Sequence, residues 1–357
     1  MGEPRRPRLS ARKKAGFAAL AVATALLATE GALRLLGYPL GIARSFSHVW
    51  NRDAASLAGL PGLFQPGVRR RIAFPPQLAY DVGLNSLGLR GEEVARARPD
   101  GALRVLALGD SVTFGYHVAD DETWPAHLQA RLRAQGLTAE VINGGCGHFT
   151  ITDERQYLEE RLLALEPSVV VLQFCSNDVT PGELDRAPSL YREILAEAGA
   201  PSLGDRLRGT ALGELQLRAA IALKASRRAA PSMTLGAPET VPEGNWARYE
   251  QELTALKGLL DARGVPLVLV SFPDLDAVLG GGAAQQDAPL AAIAGRLGLP
   301  FSAATPAFRA AAEDPRGLYL WPRDPHPSSA GNAALASEVQ RLLAEAGLLS
   351  GAQAQSH

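Results

Sequence analysis

The segment Val105–Gly115 reads VLALGDSVTFG. An apolar run ends abruptly on a glycine, an aspartate and a serine, and a small-residue turn follows. A run that is apolar at every position suits a strand buried on both faces, as in a parallel sheet. A serine at the end of such a strand either caps the next helix or presents its hydroxyl at the sheet edge for chemistry. The surrounding sequence discriminates between the two.

Counting from LRVLALG (103–109), further short apolar runs occur at AEVING (139–144), SVVVLQF (168–174), PLVLVSF (266–272) and, more weakly, LPFSA (299–303). Helical stretches separate them. ETWPAHLQARLRAQG (122–136) carries apolar residues at helical spacing and closes on glycine; TDERQYLEERLLALEP (152–167) opens on Thr152 as N-cap and stops at proline. GNWARYEQELTALKGLLDARG (244–264) and SSAGNAALASEVQRLLAEAG (328–347) also end on glycine. Strand and helix in alternation predict an α/β domain over 101–350, with a five-stranded parallel sheet covered on both faces. Residues 41–100, rich in Gly and Pro, read as a linker and a strap, with YDVGLNSLGLRGEE (80–93) carrying turn signals. A soluble chain starting near Asp53 should therefore suffice for function. The interval 179–243 interrupts the rhythm and reads as a helical insertion. Within it GELQLRAAIALKASRRAA (213–230) is a basic amphipathic stretch, suited to a solvated helix, a lid or an anionic lipid surface.

The N-terminus is asymmetric. Arg5, Arg6, Arg8, Arg12, Lys13 and Lys14 precede AGFAALAVATALLAT (15–29), and Glu30 and Arg34 follow. The span from Ala15 to Leu36 is long enough to cross a bilayer if Glu30 and Arg34 snorkel to the far interface. No small-x-small cleavage site follows it, which favours an uncleaved anchor over a signal peptide. Residues 1–40 then form a basic cytoplasmic tail and a single transmembrane helix in the inner membrane. The rest lies on the periplasmic side. Net charge is −1, from 36 basic and 37 acidic residues, which argues against a nucleic-acid binder. The two cysteines, Cys146 and Cys175, exclude a disulfide framework and a four-cysteine zinc site. They stand as either a disulfide or two buried thiols. None of the six histidines pairs at HxxxH spacing, so neither a metal nor a cofactor is expected.

Ligands of open α/β sheets bind beyond the carboxyl ends of the strands. Four polar clusters fall there: Gly109-Asp110-Ser111, NGGCGHFT (143–150), CSND (175–178), and DPHPSSAG (324–331) just before the last helix. A serine hydroxyl attacks only if a base takes its proton. His326 can be that base, and Asp324 can hold the imidazole in the required tautomer. The oxyanion of a tetrahedral intermediate needs donors, which the Ser111 backbone N–H, the glycine-rich second loop and the Asn177 amide can supply. Asp110 reads as a turn-stabilising residue. His148 lies on the rim, where it either touches substrate or stays exposed. His117, His127 and Trp124 read as parts of the first helix and its entry loop.

The order and placement of these clusters resemble the SGNH (GDSL) hydrolase superfamily over roughly residues 80–347. The resemblance implies a three-layer, flavodoxin-like α/β/α fold, Ser111 as nucleophile, Asp324 and His326 as its partners, and Asn177 as an oxyanion donor. An ungapped match puts His148 at the family's oxyanion glycine, and a one-residue shift puts Gly147 there. Cys175 stands where the family usually has glycine, and the acid and base are spaced DxH where many members have DxxH. The NSLGLRG strap and the N-terminal anchor are similar to membrane-tethered bacterial members, some of them in polysaccharide modification or export systems. The leading expectation is an esterase acting on acyl or acetyl groups of a carbohydrate or lipid. An O-acyltransferase acetylating an exported polysaccharide, and a tethered non-catalytic binding protein, are the alternatives.

Overall fold

The computed structural model describes residues 10–36, 42–43, 49–72, 78–198, 210–213, 215–216, 235, 241–280 and 286–349. They divide into two compact units, Met1–Ile42 with Pro201–Ala229, and Ala43–Ala200 with Ala230–His357. The smaller unit holds α1 (Ala11–Leu35), whose N-cap Ser10 accepts from Lys13 N–H. Its apolar side chains are exposed along the helix, Phe17, Leu20, Leu26 and Leu27 among them. By length and composition α1 could cross a membrane, and a signal sequence meets the same criteria. Glu30 does more than interrupt the apolar run. Its carboxylate accepts the Ala211 and Leu212 backbone N–H groups and the Arg34 guanidinium. Arg5, Arg6 and Arg8 lie outside the described residues, as does most of the basic stretch 213–230.

The larger unit opens with α2 (Ala54–Gly59), β1 (Arg69–Ile72) and β2 (Tyr80–Gly83), β1 and β2 pairing antiparallel. Then follow β3 (Leu103–Gly109), α3 (Ser111–Phe114), α4 (Trp124–Ala134), β4 (Ala139–Gly145), α5 (Ile151–Glu160) and β5 (Val169–Phe174). The chain continues through α6 (Leu190–Glu197), α7 (Glu243–Asp261), β6 (Leu267–Ser271), α8 (Leu275–Leu279), α9 (Asp287–Leu297), β7 (Phe301–Ala303), α10 (Thr305–Ala311) and α11 (Ser329–Glu345). Strands β3 to β7 form one parallel sheet in the order β4-β3-β5-β6-β7, with Leu103 opposite Ala139 and Val105 opposite Val169. This is the expected flavodoxin-like topology. The strand order reverses at β3, so the loops leaving β3 and β5 part at the edge where ligands of such sheets bind.

Alternate residues of each strand feed two cores. Leu106, Leu108, Val170, Leu172 and Leu269 pack with Tyr157, Tyr249, Leu253 and Leu256 on one face. Val105, Ala107, Val171, Val268 and Val270 pack with Trp124, Leu128, Leu335 and Val339 on the other. Burying one such side chain contributes about 1.5–3 kcal/mol.

One expectation is corrected. α5 is capped by Thr150, not Thr152, because the Asp153 carboxylate accepts the Thr150 backbone N–H at 3.0 Å and starts the helix earlier. Described residues of the segment read as linker and strap also contribute to the core. Val49, Leu57, Leu63, Phe64, Ile72, Tyr80, Val82 and Leu89 are buried in the same cluster as the first sheet face. A chain starting at Asp53 would lose Val49, which is fully buried, and the hydrogen bond from Asn51 N–H to Leu63 O.

Candidate active site

The corner after β3 is built by close packing. A Cβ on Gly109 would lie 2.2 Å from Thr113 Oγ1, so only glycine lets α3 fold back over the strand end. Asp110 caps α3 by accepting the Val112 N–H at 2.9 Å, the structural role read from its position, and leaves Ser111 at the first helical position. Burial raises the Asp110 carboxyl above its ordinary value. Next door, a Cβ on Gly145 would lie 2.2 Å from Phe114 N, which explains the glycine pair of the second loop. Asn143 ties the two together: its Nδ2 donates to Thr113 O at 2.9 Å and its Oδ1 accepts the Gly145 N–H at 2.9 Å.

Behind the corner lies Arg90, from the NSLGLRG strap, with its side chain 1% exposed. It pairs with Asp120 at 2.9 Å and donates to Phe114 O at 2.8 Å, Gly115 O at 2.5 Å and Val118 O at 2.8 Å. The strap therefore holds the loop that leaves the serine. Sequence reading saw turn signals there and missed this arginine. A buried guanidinium saturating three carbonyls has no linear signature.

The loop before α11 brings the expected partners to the serine. His326 Nε2 lies 2.8 Å from Ser111 Oγ, and His326 Nδ1 lies 2.5 Å from Asp324 Oδ1. A carboxylate only accepts, so Nδ1 carries the proton, and Nε2 is left to accept the serine O–H. The tight DxH spacing works because Asp324 Oδ1 also accepts the His326 backbone N–H at 2.9 Å, closing a two-residue Asx turn. Burial pushes the Asp324 carboxyl up, but hydrogen bonds and charge from His117 and His326 outweigh it and hold the group well below the usual carboxylate range.

The candidate oxyanion donors sit on the loops leaving β3, β4 and β5. Ser111 is the first residue of α3. Gly147 is buried and His148 exposed, in a turn closed by Phe149 N–H on Cys146 O at 3.1 Å. His148 has φ +65°, whereas Gly147 does not have a positive φ. A left-handed residue at the third position of such a turn is where glycine is favoured. His148 thus occupies a glycine-type conformation. Asn177 is nearly buried, and its Nδ2 donates to Phe149 O at 3.2 Å, which fixes which end of the amide is NH2. One N–H of that group remains for another acceptor. Cys175 has φ −126°, extended backbone that needs no glycine.

The cysteines are two free, buried thiols, and burial pushes both well above their ordinary value, so neither is a thiolate at neutral pH. Trp124 is buried at the start of α4 and His127 half-buried on the same helix, as expected. His117 is not confined to the entry loop: its Nε2 lies 3.5 Å from Asp324 Oδ2. Tyr116 places its ring 5.1 Å from the His326 ring. His117, Asp324 and His326 offer ligand atoms within 4.8 Å of one another, a donor set that would also suit a divalent cation. Spacing along the chain misses this cluster because its members come from distant loops.

Residues 107–334 match the model of the GDSL-like Lipase/Acylhydrolase family. The chain belongs to that family and is a hydrolase acting on ester bonds. Similar solved structures include a putative lipolytic protein of the G-D-S-L family from Desulfitobacterium hafniense DCB-2, at 17% identity and TM-score 0.41, covering 68% of this chain and 99% of that one. The lipase/acylhydrolase from Enterococcus faecalis matches at 14% identity and TM-score 0.43, covering 68% and 96%. A catalytic mutant of an acetylxylan esterase from Geobacillus stearothermophilus matches at 20% identity and TM-score 0.40, covering 67% and 93%. No curated protein gives a significant match to the chain.

Proposed function

We propose that Ser111 is the nucleophile of an esterase that removes acyl or acetyl groups from a carbohydrate or lipid. Ser111 Oγ attacks the acyl carbon while its proton passes to His326 Nε2. Asp324 keeps Nδ1–H in place and balances the imidazolium charge. The developing oxyanion is received by the Ser111 N–H, the His148 N–H and the Asn177 amide, with the Gly147 N–H as the alternative on the second loop. His326 then returns its proton to the departing alkoxide, leaving an acyl-enzyme. Water, deprotonated by His326, repeats the sequence and frees the acid and the serine. The 2.8 Å contact from His326 to Ser111, backed by Asp324, is the observation that carries this reading. On the same reading 101–350 is the catalytic domain, α1 is an uncleaved anchor, and the domain faces the periplasm near its acylated substrate. The one-sided basic flank of α1 supports that orientation.

The test is labelling of the full chain with a fluorophosphonate, together with acid release from p-nitrophenyl acetate. Wild type should label and turn over, and Ser111→Ala should do neither, losing about 10⁴-fold or more in kcat. Equal labelling of both proteins overturns the assignment. Acetate appearing in water, and not on added glycan, separates hydrolysis from transfer.

A further inference from the structure

We propose that His117 is a positioning residue for the acid–base pair, clamping the Asp324 oxygen that His326 does not use. The proposal rests on the Ser111–His326–Asp324 reading above and extends it by one residue. The two carboxylate oxygens are divided. Oδ1 takes both hydrogen bonds from His326, through its backbone N–H and its ring Nδ1. Oδ2 faces His117 Nε2 at 3.5 Å. A carboxylate held on one oxygen can still swing about its Cβ–Cγ bond, and holding the second oxygen removes that freedom.

His117 is itself held on several sides. Its Nδ1 lies 3.2 Å from Leu78 O, a carbonyl of the strap just before β2. Its ring packs edge-on to Tyr80 at 5.3 Å and to Tyr116 at 5.7 Å, and its side chain is 8% exposed. The backbone supports the same reading. His117 has φ +65°, a conformation that L side chains disfavour, yet the position carries an imidazole where glycine would be unstrained. Non-glycine residues held in this region cluster at functional sites. The clamp comes from the loop that leaves the nucleophile, so the strap, the serine loop and the acid–base loop converge on His117 and Asp324.

Two variants of the full chain test this. His117→Asn keeps a side chain tolerant of the left-handed backbone but is too short to reach Oδ2. His117→Gln keeps the reach and one N–H donor. With p-nitrophenyl acetate, His117→Asn should lower kcat about 10- to 100-fold with KM changed less than about twofold, because the defect is orientation and not binding. His117→Gln should recover several-fold of that loss. A merely structural histidine would show equal losses in both, or none. The wild-type protein offers a check that needs no variant: ¹⁵N-histidine NMR should place a proton on His117 Nε2, the nitrogen that faces Asp324, and a bare Nε2 overturns the proposal. Failures of the two readings look different. Labelling that survives Ser111→Ala removes the nucleophile and this proposal with it. Labelling and turnover that need Ser111 but are indifferent to His117→Asn remove this proposal alone.

Discussion

Asp324 and Asp274 lie on different loops of the larger unit, one before α11 and the other directly after β6, and both carboxyls lose much of their contact with water. Their electrostatics are opposite. For Asp324 the rise due to burial is overcome by two imidazoles, and the group stays ionised well below its ordinary value. For Asp274 burial dominates, the Leu235 N–H opposes it too weakly, nearby Asp276 adds repulsion, and the carboxyl is pushed up to about 6. Burial alone therefore does not define a working acid in this fold. What separates the two is that two imidazoles face one carboxylate and no imidazole is among the groups that chiefly set the other. Where chemistry needs a permanent negative charge, the chain provides one. Elsewhere it leaves a half-buried acid to protonate.

The largest effect tests the charged member. Asp324→Asn leaves a neutral amide that can donate to His326 Nδ1 and so invites the wrong tautomer, with Nδ1 bare and Nε2 protonated. The kcat for p-nitrophenyl acetate should fall about 10⁴-fold while fold and KM persist. The same variant should show a pH signature in stability. A depressed carboxyl contributes stability that is present above the unfolded value near 3.8 and is lost as pH falls through the folded one. Urea unfolding should therefore find Asp324→Asn weakened at neutral pH and close to wild type in acid. A variant weakened equally at every pH would mean that the imidazoles do not stabilise this charge.

Asp274→Asn should behave in the opposite sense. Between about pH 4 and 6 the folded chain holds a proton on Asp274 that the unfolded chain has released. Stability contributed by this group thus falls as pH rises through that window. A shift of this size is worth about 3 kcal/mol, reduced to about 2 kcal/mol by solvent access to a half-buried group. Asparagine keeps an oxygen for the Leu235 N–H and sheds the charge. Relative to wild type, the variant should gain about 2 kcal/mol between pH 4 and pH 7.5. Parallel unfolding free energies for the two proteins across that range would erase the contrast with Asp324.

These differences mark the limit of what could be read along the chain. The sheet was legible because strands buried on both faces are apolar at every position, and LRVLALG and SVVVLQF match β3 and β5 to within a residue. The serine was legible because it follows the end of an apolar strand, and the aspartate and histidine because they stand in the polar loop just before the last helix. The cap of α5 is also readable in Thr150-Ile151-Thr152-Asp153, an S/T-x-x-D pattern in which the first threonine, not the second, starts the helix. The strap was missed as core because its leucines bury against elements far along the chain, and its Gly and Pro hide any period. His117 was missed for a deeper reason. Its placement depends on a left-handed backbone at a non-glycine residue, which no local pattern announces, and on a carboxylate 207 positions away.

His148 supplies the smallest effect and sharpens the contrast between side-chain and backbone contributions to the site. Like His117 it is left-handed, with φ +65°, but its side chain is exposed and has no comparable set of ring contacts among the described residues. If its contribution is the backbone N–H, the imidazole is dispensable and the strain is removable. His148→Gly should relieve about 1 kcal/mol of left-handed strain, and the greater freedom of glycine in the unfolded chain should return about half of that. A small rise in Tm, with kcat within a few-fold of wild type, is the expected outcome. His148→Val, β-branched at the same φ, should lower Tm. A fall in kcat with glycine comparable to that of His117→Asn would give the imidazole of His148 a direct part in the reaction. The second loop would then act through a side chain as the acid–base loop does, and the backbone account of the oxyanion site would fail.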